Sequence, residues 1–218
     1  MARPKILMYV DVVSPFSYEA YYLLRHDPVF KDCEVTYVPI FLGGLMNKCG
    51  NTAPIRIKNK DKWISQERTR WAKTFNIPIS PTLPADFPAN TLPIGRALAS
   101  LPPTDLTKTL DILFRKYWVE NVPLHRPDVL RDALTDIFGG ERAASILADA
   151  ATTGKQTLIQ NTDKAFEDGA FGLPWMVCTN TDGQTEGFWG VDHIGQVVQF
   201  LGLDRTKGLA KTGWRAVL

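Results

Sequence analysis

Cysteine is scarce in this chain of 218 residues: Cys33, Cys49 and Cys178 are the only three, and no two form a Cys-x-x-Cys pair. An odd number of unpaired thiols excludes a disulfide framework and fits a reducing compartment. No apolar run approaches the roughly 20 residues that span a bilayer. Excess charge is lacking too: 25 Lys and Arg against 23 Asp and Glu leave a net +2, which marks neither a nucleic-acid-binding nor a membrane-binding surface. The three histidines, His26, His125 and His193, stand in no triad-like motif, and no ligand spacing suggests a metal. Charged residues and Pro4 occupy the start, where a secretory signal carries its apolar core. Ala216-Val217-Leu218 at the end lacks the basic middle residue of a peroxisomal Ser-Lys-Leu signal. The expected location is intracellular, cytoplasm first, with mitochondria and peroxisomes as alternatives. Repeats and low-complexity tracts are absent. What remains is an ordinary globular composition, 44% apolar and 22% charged, long enough to bury a sizeable core.

Lys5 to Val10 reads as a buried strand and Ser14 to about Arg25 as a helix carrying Tyr18, Tyr21, Tyr22 and Leu24. Glu34 to Ile40 alternates as a second strand, with Val35, Tyr37 and Pro39 on one side and Gly43-Gly44 as its end. Together these form a βαβ unit. Five prolines between Ile77 and Pro93 exclude a continuous helix and indicate an ordered loop. Leu106, Leu110, Leu113, Phe114, Tyr117 and Trp118 then recur at helical spacing. Pro127-Asp128 fits a first helical turn, with Gly139-Gly140 as the stop. Arg142 to Ala151 forms another helix, and one more runs from near Gly154 to Glu167. Trp175–Cys178 and Gly187–Trp189 flank Asn180-Thr181-Asp182-Gly183, whose Asp-Gly step signals a hairpin. Asp192 to Leu201 closes the pattern as a helix ended by Gly202.

Ser14 has two readings. Ser-Pro at a helix mouth is the preferred N-cap followed by the preferred first residue. The same strand-to-helix turn also presents a hydroxyl where thioredoxin-like folds hold their first redox cysteine, and Ser17 occupies the second cysteine's place. A second landmark is Phe171-Gly172-Leu173-Pro174, directly ahead of the strand Trp175-Met176-Val177. Proline there is either a register device or the cis proline that faces the first helix in thioredoxin-like proteins.

With Asp11-Val12-Val13-Ser14-Pro15-Phe16-Ser17, Leu42-Gly43-Gly44-Leu45-Met46, Gly50-Asn51-Thr52-Ala53-Pro54, Gly169 to Pro174 and Phe188-Trp189-Gly190-Val191-Asp192 in this order, the chain resembles kappa-class glutathione transferases and 2-hydroxychromene-2-carboxylate isomerases. The likeness covers nearly the whole chain. It implies an α/β fold: a thioredoxin-like, DsbA-like domain interrupted by an α-helical insertion. Residues 1–43 and 166–218 would form the glutathione-binding domain and 44–165 the helical domain.

The resemblance further implies glutathione as co-substrate, with no metal. Ser14 would donate its hydroxyl to the ligand sulfur, and Pro15 and Phe16 lie in the same turn. Asn51 would bond the ligand through its side-chain amide, or serve only as a Gly-Asn turn residue. Leu173, beside Pro174, would pair its main chain with the cysteinyl unit as in β-augmentation. Lys60 aligns with a lysine that reaches a ligand carboxylate, and equally reads as a solvated surface lysine. Val191 and Asp192 would open the last helix, Asp192 binding the ligand amine or acting as an N-cap. Val191 stands where the family often has a small hydroxyl residue, so its contact would be through the backbone. His193 replaces a stronger cation.

Three activities fit these features: glutathione transfer to a small electrophile or reduction of a hydroperoxide; glutathione-dependent isomerisation of an unsaturated ketoacid; and non-catalytic binding of glutathione or protein. A dithiol oxidoreductase does not fit, because Ser14 and Ser17 replace both cysteines. Cys49 reads as a structural thiol or one near the site. A homodimer is the implied assembly, and Trp63, Trp71 and Phe75, in a charged segment, read as contact or core residues. Nucleic-acid and membrane partners are not expected.

Overall fold

The computed structural model describes residues 2–84 and 86–208. Residues 209–218, including Ala216-Val217-Leu218 and the end of the expected second segment of the glutathione-binding domain, lie outside the described residues. Four strands form one mixed sheet in the order β2-β1-β3-β4. β1 (Lys5–Val10) pairs in parallel with β2 (Glu34–Pro39) and antiparallel with β3 (Trp175–Thr179), which carries β4 (Thr185–Trp189) on its outer edge.

Strand periodicity sends alternate side chains to two cores. Ile6, Met8 and Val10 join α1 (Pro15–His26) and α9 (Ile194–Phe200) in the larger one, with Met176 and Cys178 from β3. Tyr9 faces the other way, with Ile40, Leu45 and Ala165, against α2 (Leu42–Lys48) and α8 (Thr153–Glu167). Between β2 and β3 the chain also forms α3 (Lys60–Phe75), α4 (Leu92–Ala99), α5 (Pro103–Trp118), α6 (Pro127–Phe138) and α7 (Gly140–Ala151). This is the thioredoxin-like sheet with helices inserted ahead of its closing hairpin. The expected domain limits, 43/44 and 165/166, fall inside α2 and α8.

The apolar stripe expected on α5 is buried throughout, Leu110, Leu113, Phe114, Tyr117 and Trp118 being fully enclosed. Each such side chain contributes about 1.5–3 kcal/mol of transfer free energy. Prolines open α1, α5 and α6, where the missing N–H costs nothing.

Other expectations need correction. Gly43-Gly44 does not end β2, which stops at Pro39; both glycines lie in α2. They let the Phe41 ring fold back onto the helix: a Cβ at Gly43 would meet it at 2.9 Å. The proline-rich loop ends before Pro93, which sits in the first turn of α4. The charged segment 60–75 is helix α3; its Phe75 is buried and Trp71 stacks on it at 6.2 Å between ring centroids, while Trp63 is exposed. The last helix begins at Ile194, after a separate 3-10 turn, Val191–His193. No helix among the described residues is long and apolar enough to cross a membrane.

Candidate active site

The turn between β1 and α1 is held from three sides. Asp11, 4% exposed, accepts the Thr91 hydroxyl (2.7 Å) and the Val13 N–H (3.2 Å) on one carboxylate oxygen and the Leu42 N–H (2.9 Å) on the other. One side chain thus ties the Ser14 turn to the starts of α2 and α4. Burial pushes the Asp11 carboxyl above its ordinary range, and these hydrogen bonds oppose the shift. From the other side the Trp118 indole N–H donates to the Val12 carbonyl at 2.8 Å. Asp11, Thr91 and Trp118 were not singled out from sequence as site residues; Trp118 was recognised only as part of an apolar helical stripe.

Ser14 caps α1: its Oγ accepts the Ser17 N–H at 3.1 Å with extended backbone, φ −85° and ψ 115°. Capping uses an oxygen lone pair and leaves the O–H free, and among the described residues that O–H donates to nothing. Pro15 is buried at the first helical position and Phe16 is half-buried. Ser17 is fully enclosed and its hydroxyl has no partner. Two residues on, Glu19 is fully enclosed with both carboxylate oxygens unpaired. Burial drives its carboxyl well above its ordinary range, although Arg68 of α3 opposes this. Arg68 itself is committed to the Ser80 and Pro81 carbonyls at 2.7 and 3.2 Å.

The second landmark meets the first through sheet register. Tyr9 pairs with Trp175, so the next step sets Val10 opposite Pro174, at the end of β1 from which the Asp11–Ser14 turn leaves. The Leu173–Pro174 peptide is cis. Leu173 is only 6% exposed, yet its N–H and C=O make no hydrogen bond among the described residues. Buried main-chain groups rarely stay unpaired.

Two more expected residues converge here. The Asn51 amide donates to the Phe171 carbonyl at 2.9 Å and keeps one N–H over. Its side-chain oxygen meanwhile accepts the Thr52 N–H at 2.8 Å, so the turn role is real as well. Gly190 donates its N–H to the Pro174 carbonyl at 3.0 Å, delivering Val191 and Asp192, whose 3-10 turn packs against α1. Val191 is buried, leaving only its backbone for a ligand. The Asp192 carboxylate is half-exposed, 3.4 Å from His193 Nδ1, and caps neither its own turn nor α9.

Lys60 is not drawn in. It stands exposed on the first turn of α3, without a hydrogen bond or ion pair to the other residues named. Cys49 is half-buried and donates its S–H to the Ala170 carbonyl at 3.4 Å, packing beside the proline loop. Among the described residues no cluster of three His, Cys, Asp or Glu could hold a metal.

A sheet with a helical insertion, a capped first helix and a facing cis proline define the DsbA-like class of thioredoxin folds. The family model for the DSBA-like thioredoxin domain matches residues 5–202, and the chain belongs to that family. Within it, the chain is 27% identical over 210 residues to a kappa-class glutathione S-transferase (kappa 2) of Caenorhabditis elegans, covering 91% of this chain and 92% of that protein. It is 25% identical over 199 residues to a 2-hydroxychromene-2-carboxylate isomerase of Pseudomonas sp. strain C18, covering 85% and 84%. A solved structure of such an isomerase superposes with a TM-score of 0.75 at 21% identity, covering 91% of this chain and 94% of that one.

Proposed function

We propose that the protein is a glutathione-dependent enzyme of the kappa type, which binds the tripeptide across the cis-proline loop and holds its sulfur as thiolate on Ser14. The observation that carries this reading is the pair of unused polar groups: the free Ser14 O–H and the unpaired main chain of buried Leu173. A cysteinyl unit laid antiparallel to Leu173 satisfies its N–H and C=O, which leaves the thiol to be placed toward the mouth of α1. Asp192, open to solvent at the other wall, takes the ligand's amine. Asn51 contributes its remaining N–H. Lys60 reaches a ligand carboxylate only if its free ammonium swings toward the loop.

Magnitudes support activation without a histidine base. A free thiol titrates near ~8.5. One hydrogen bond to a charged acceptor is worth about 1.5–3 kcal/mol, and a helix N-terminus about 0.3–1 kcal/mol more. At about 1.4 kcal/mol per pKa unit, the two lower the thiol by roughly 1.3–3 units before desolvation takes back a part. Thiolate then becomes a major species near neutrality and attacks an electrophilic carbon or a peroxide oxygen.

The decisive measurement is the ultraviolet thiolate band of bound glutathione, titrated against pH. Wild-type protein should titrate below free glutathione, and Ser14→Ala should raise the midpoint by about one unit or more, the loss of one charge-assisted bond. Binding with an unshifted thiol would mark a non-catalytic module. The isomerase similarity favours a second reading, reversible addition of the thiolate to an unsaturated ketoacid. Parallel assays with an aryl halide and a hydroxychromene carboxylate separate the two.

A further inference from the structure

A pocket of about 150 Å³ opens where α2, α4 and α8 meet. Its walls are apolar, built from Phe41, Leu92, Leu158 and half-exposed Ile159. Two cations stand on it, Arg96 near the end of α4 and Lys155 in the first turn of α8. Neither side chain has a hydrogen bond or ion pair among the described residues, and the Arg96 Nε is buried without a partner. A third cation, Lys48, is already neutralised by Asp163 at 2.8 Å. None of the residues assigned to the glutathione site lines this pocket.

The arrangement is electrostatically unfavourable as it stands. Lys155 sits at a helix N-terminus, where the backbone dipole disfavours a cation, and the first turn of α8 carries no acidic residue to offset it. The close approach of the two helices, whose backbones nearly touch at Gly154 and Arg96, brings a second positive group beside it. A buried guanidinium N–H without an acceptor adds a desolvation cost. A bound anion facing the Arg96 and Lys155 side chains would relieve the first two, while the apolar walls select what that anion is attached to. The open pocket, with Leu, Ile and Phe among its walls, has about 150 Å³, room on the scale of a single aromatic ring.

We propose that this pocket binds a small organic anion: one negative carboxylate or sulfonate, held by Arg96 and Lys155, on a single-ring apolar body seated against Phe41, Leu92 and Leu158. Phe41 and Leu92 directly adjoin Leu42 and Thr91, the groups that hold Asp11. None of the pocket's lining residues belongs to the proposed glutathione site, so the occupant would sit at a separate place.

The test uses benzoate as the anionic probe and benzamide as its neutral counterpart, in amide-resolved NMR titrations of the full chain. Benzoate should shift the Gly44, Leu92 and Ile159 amides saturably and leave those of Phe16 and Leu173 in place. Arg96→Gln and Lys155→Gln should each weaken benzoate about tenfold, the loss of one charge-assisted hydrogen bond, with benzamide unchanged. Benzamide binding as tightly as benzoate, displacement of benzoate by glutathione, or no saturable binding would each overturn the assignment. Because the readout is independent of turnover, failure here leaves the glutathione reading untouched.

Discussion

Glu19, two residues along α1 from Ser17, is a buried carboxyl that should make stability depend on pH. Its carboxyl is enclosed without a hydrogen-bond partner, and burial holds it protonated above its ordinary value of 4.5. The folded chain then retains a proton that the unfolded chain has already released. Stability from this group is full below 4.5 and falls as pH rises through the raised folded value. Glu19→Gln, neutral at every pH, should lose that slope. Urea unfolding measured across this range should show the variant gaining on wild type as pH rises, and parallel curves would refute the argument. Asp11 shifts in the same direction, so a weaker slope should persist in the variant. At this scale the sequence was partly readable. Ser14 and Pro174 announce themselves by their neighbours, a strand on one side and Ser-Pro or Gly-Leu-Pro chemistry beside it. Asp11 does not, because its meaning depends on Thr91, eighty positions away.

At the scale of elements, the contact between α4 and α8 makes a case where two effects oppose each other. Gly154 lies in the first turn of α8, and replacing glycine by alanine within a helix ordinarily stabilises by about 1 kcal/mol. Here the new Cβ would lie 2.3 Å from the Arg96 carbonyl oxygen and 3.2 Å from Ser100 Cβ. Main chain cannot rotate out of the way as a side chain does, so the helices must separate, at a cost of about 1–3 kcal/mol. Gly154→Ala should therefore destabilise. Gly140→Ala, at the start of α7 with nothing within 4 Å, should be neutral or stabilising. Chemical denaturation of the pair reads the sign directly. The sequence marked a helix start near Gly154 but carried no trace of the close approach. Helix α3 was hidden for a related reason: its buried positions are Arg68, Ala72 and Phe75, too narrow and too polar a face to show as an apolar stripe. α5 and α6, with broad leucine-rich faces, were plain.

At the scale of the molecule, the proposed glutathione site draws on segments near residues 11–16, 51, 171–174 and 190–192, from the first and last quarters of the chain. They are joined by β1–β3 register, the Gly190–Pro174 bond and the Asn51–Phe171 bond rather than by continuous sequence. A ligand that spans them stabilises the folded chain as a whole, because residues 11–16, 51 and 171–192 are far apart once unfolded. At about a hundredfold excess over its Kd, such a ligand adds roughly 2.7 kcal/mol to the unfolding free energy. For a chain of this length each kcal/mol is worth about 2–4 °C, so glutathione should raise the melting temperature by about 5–10 °C. S-methylglutathione should do nearly as well, because the peptide contacts proposed at Leu173 and Asp192 do not require a thiolate. Asp192→Asn should lose a substantial part of the rise, since it removes the charge proposed to face the ligand amine, whereas Ser14→Ala should keep most of it while starting from a lower baseline, its helix cap being worth about 1 kcal/mol. That contrast separates holding the tripeptide from activating its sulfur. A melting temperature indifferent to both ligands would remove the cleft as a glutathione site, whatever the fold.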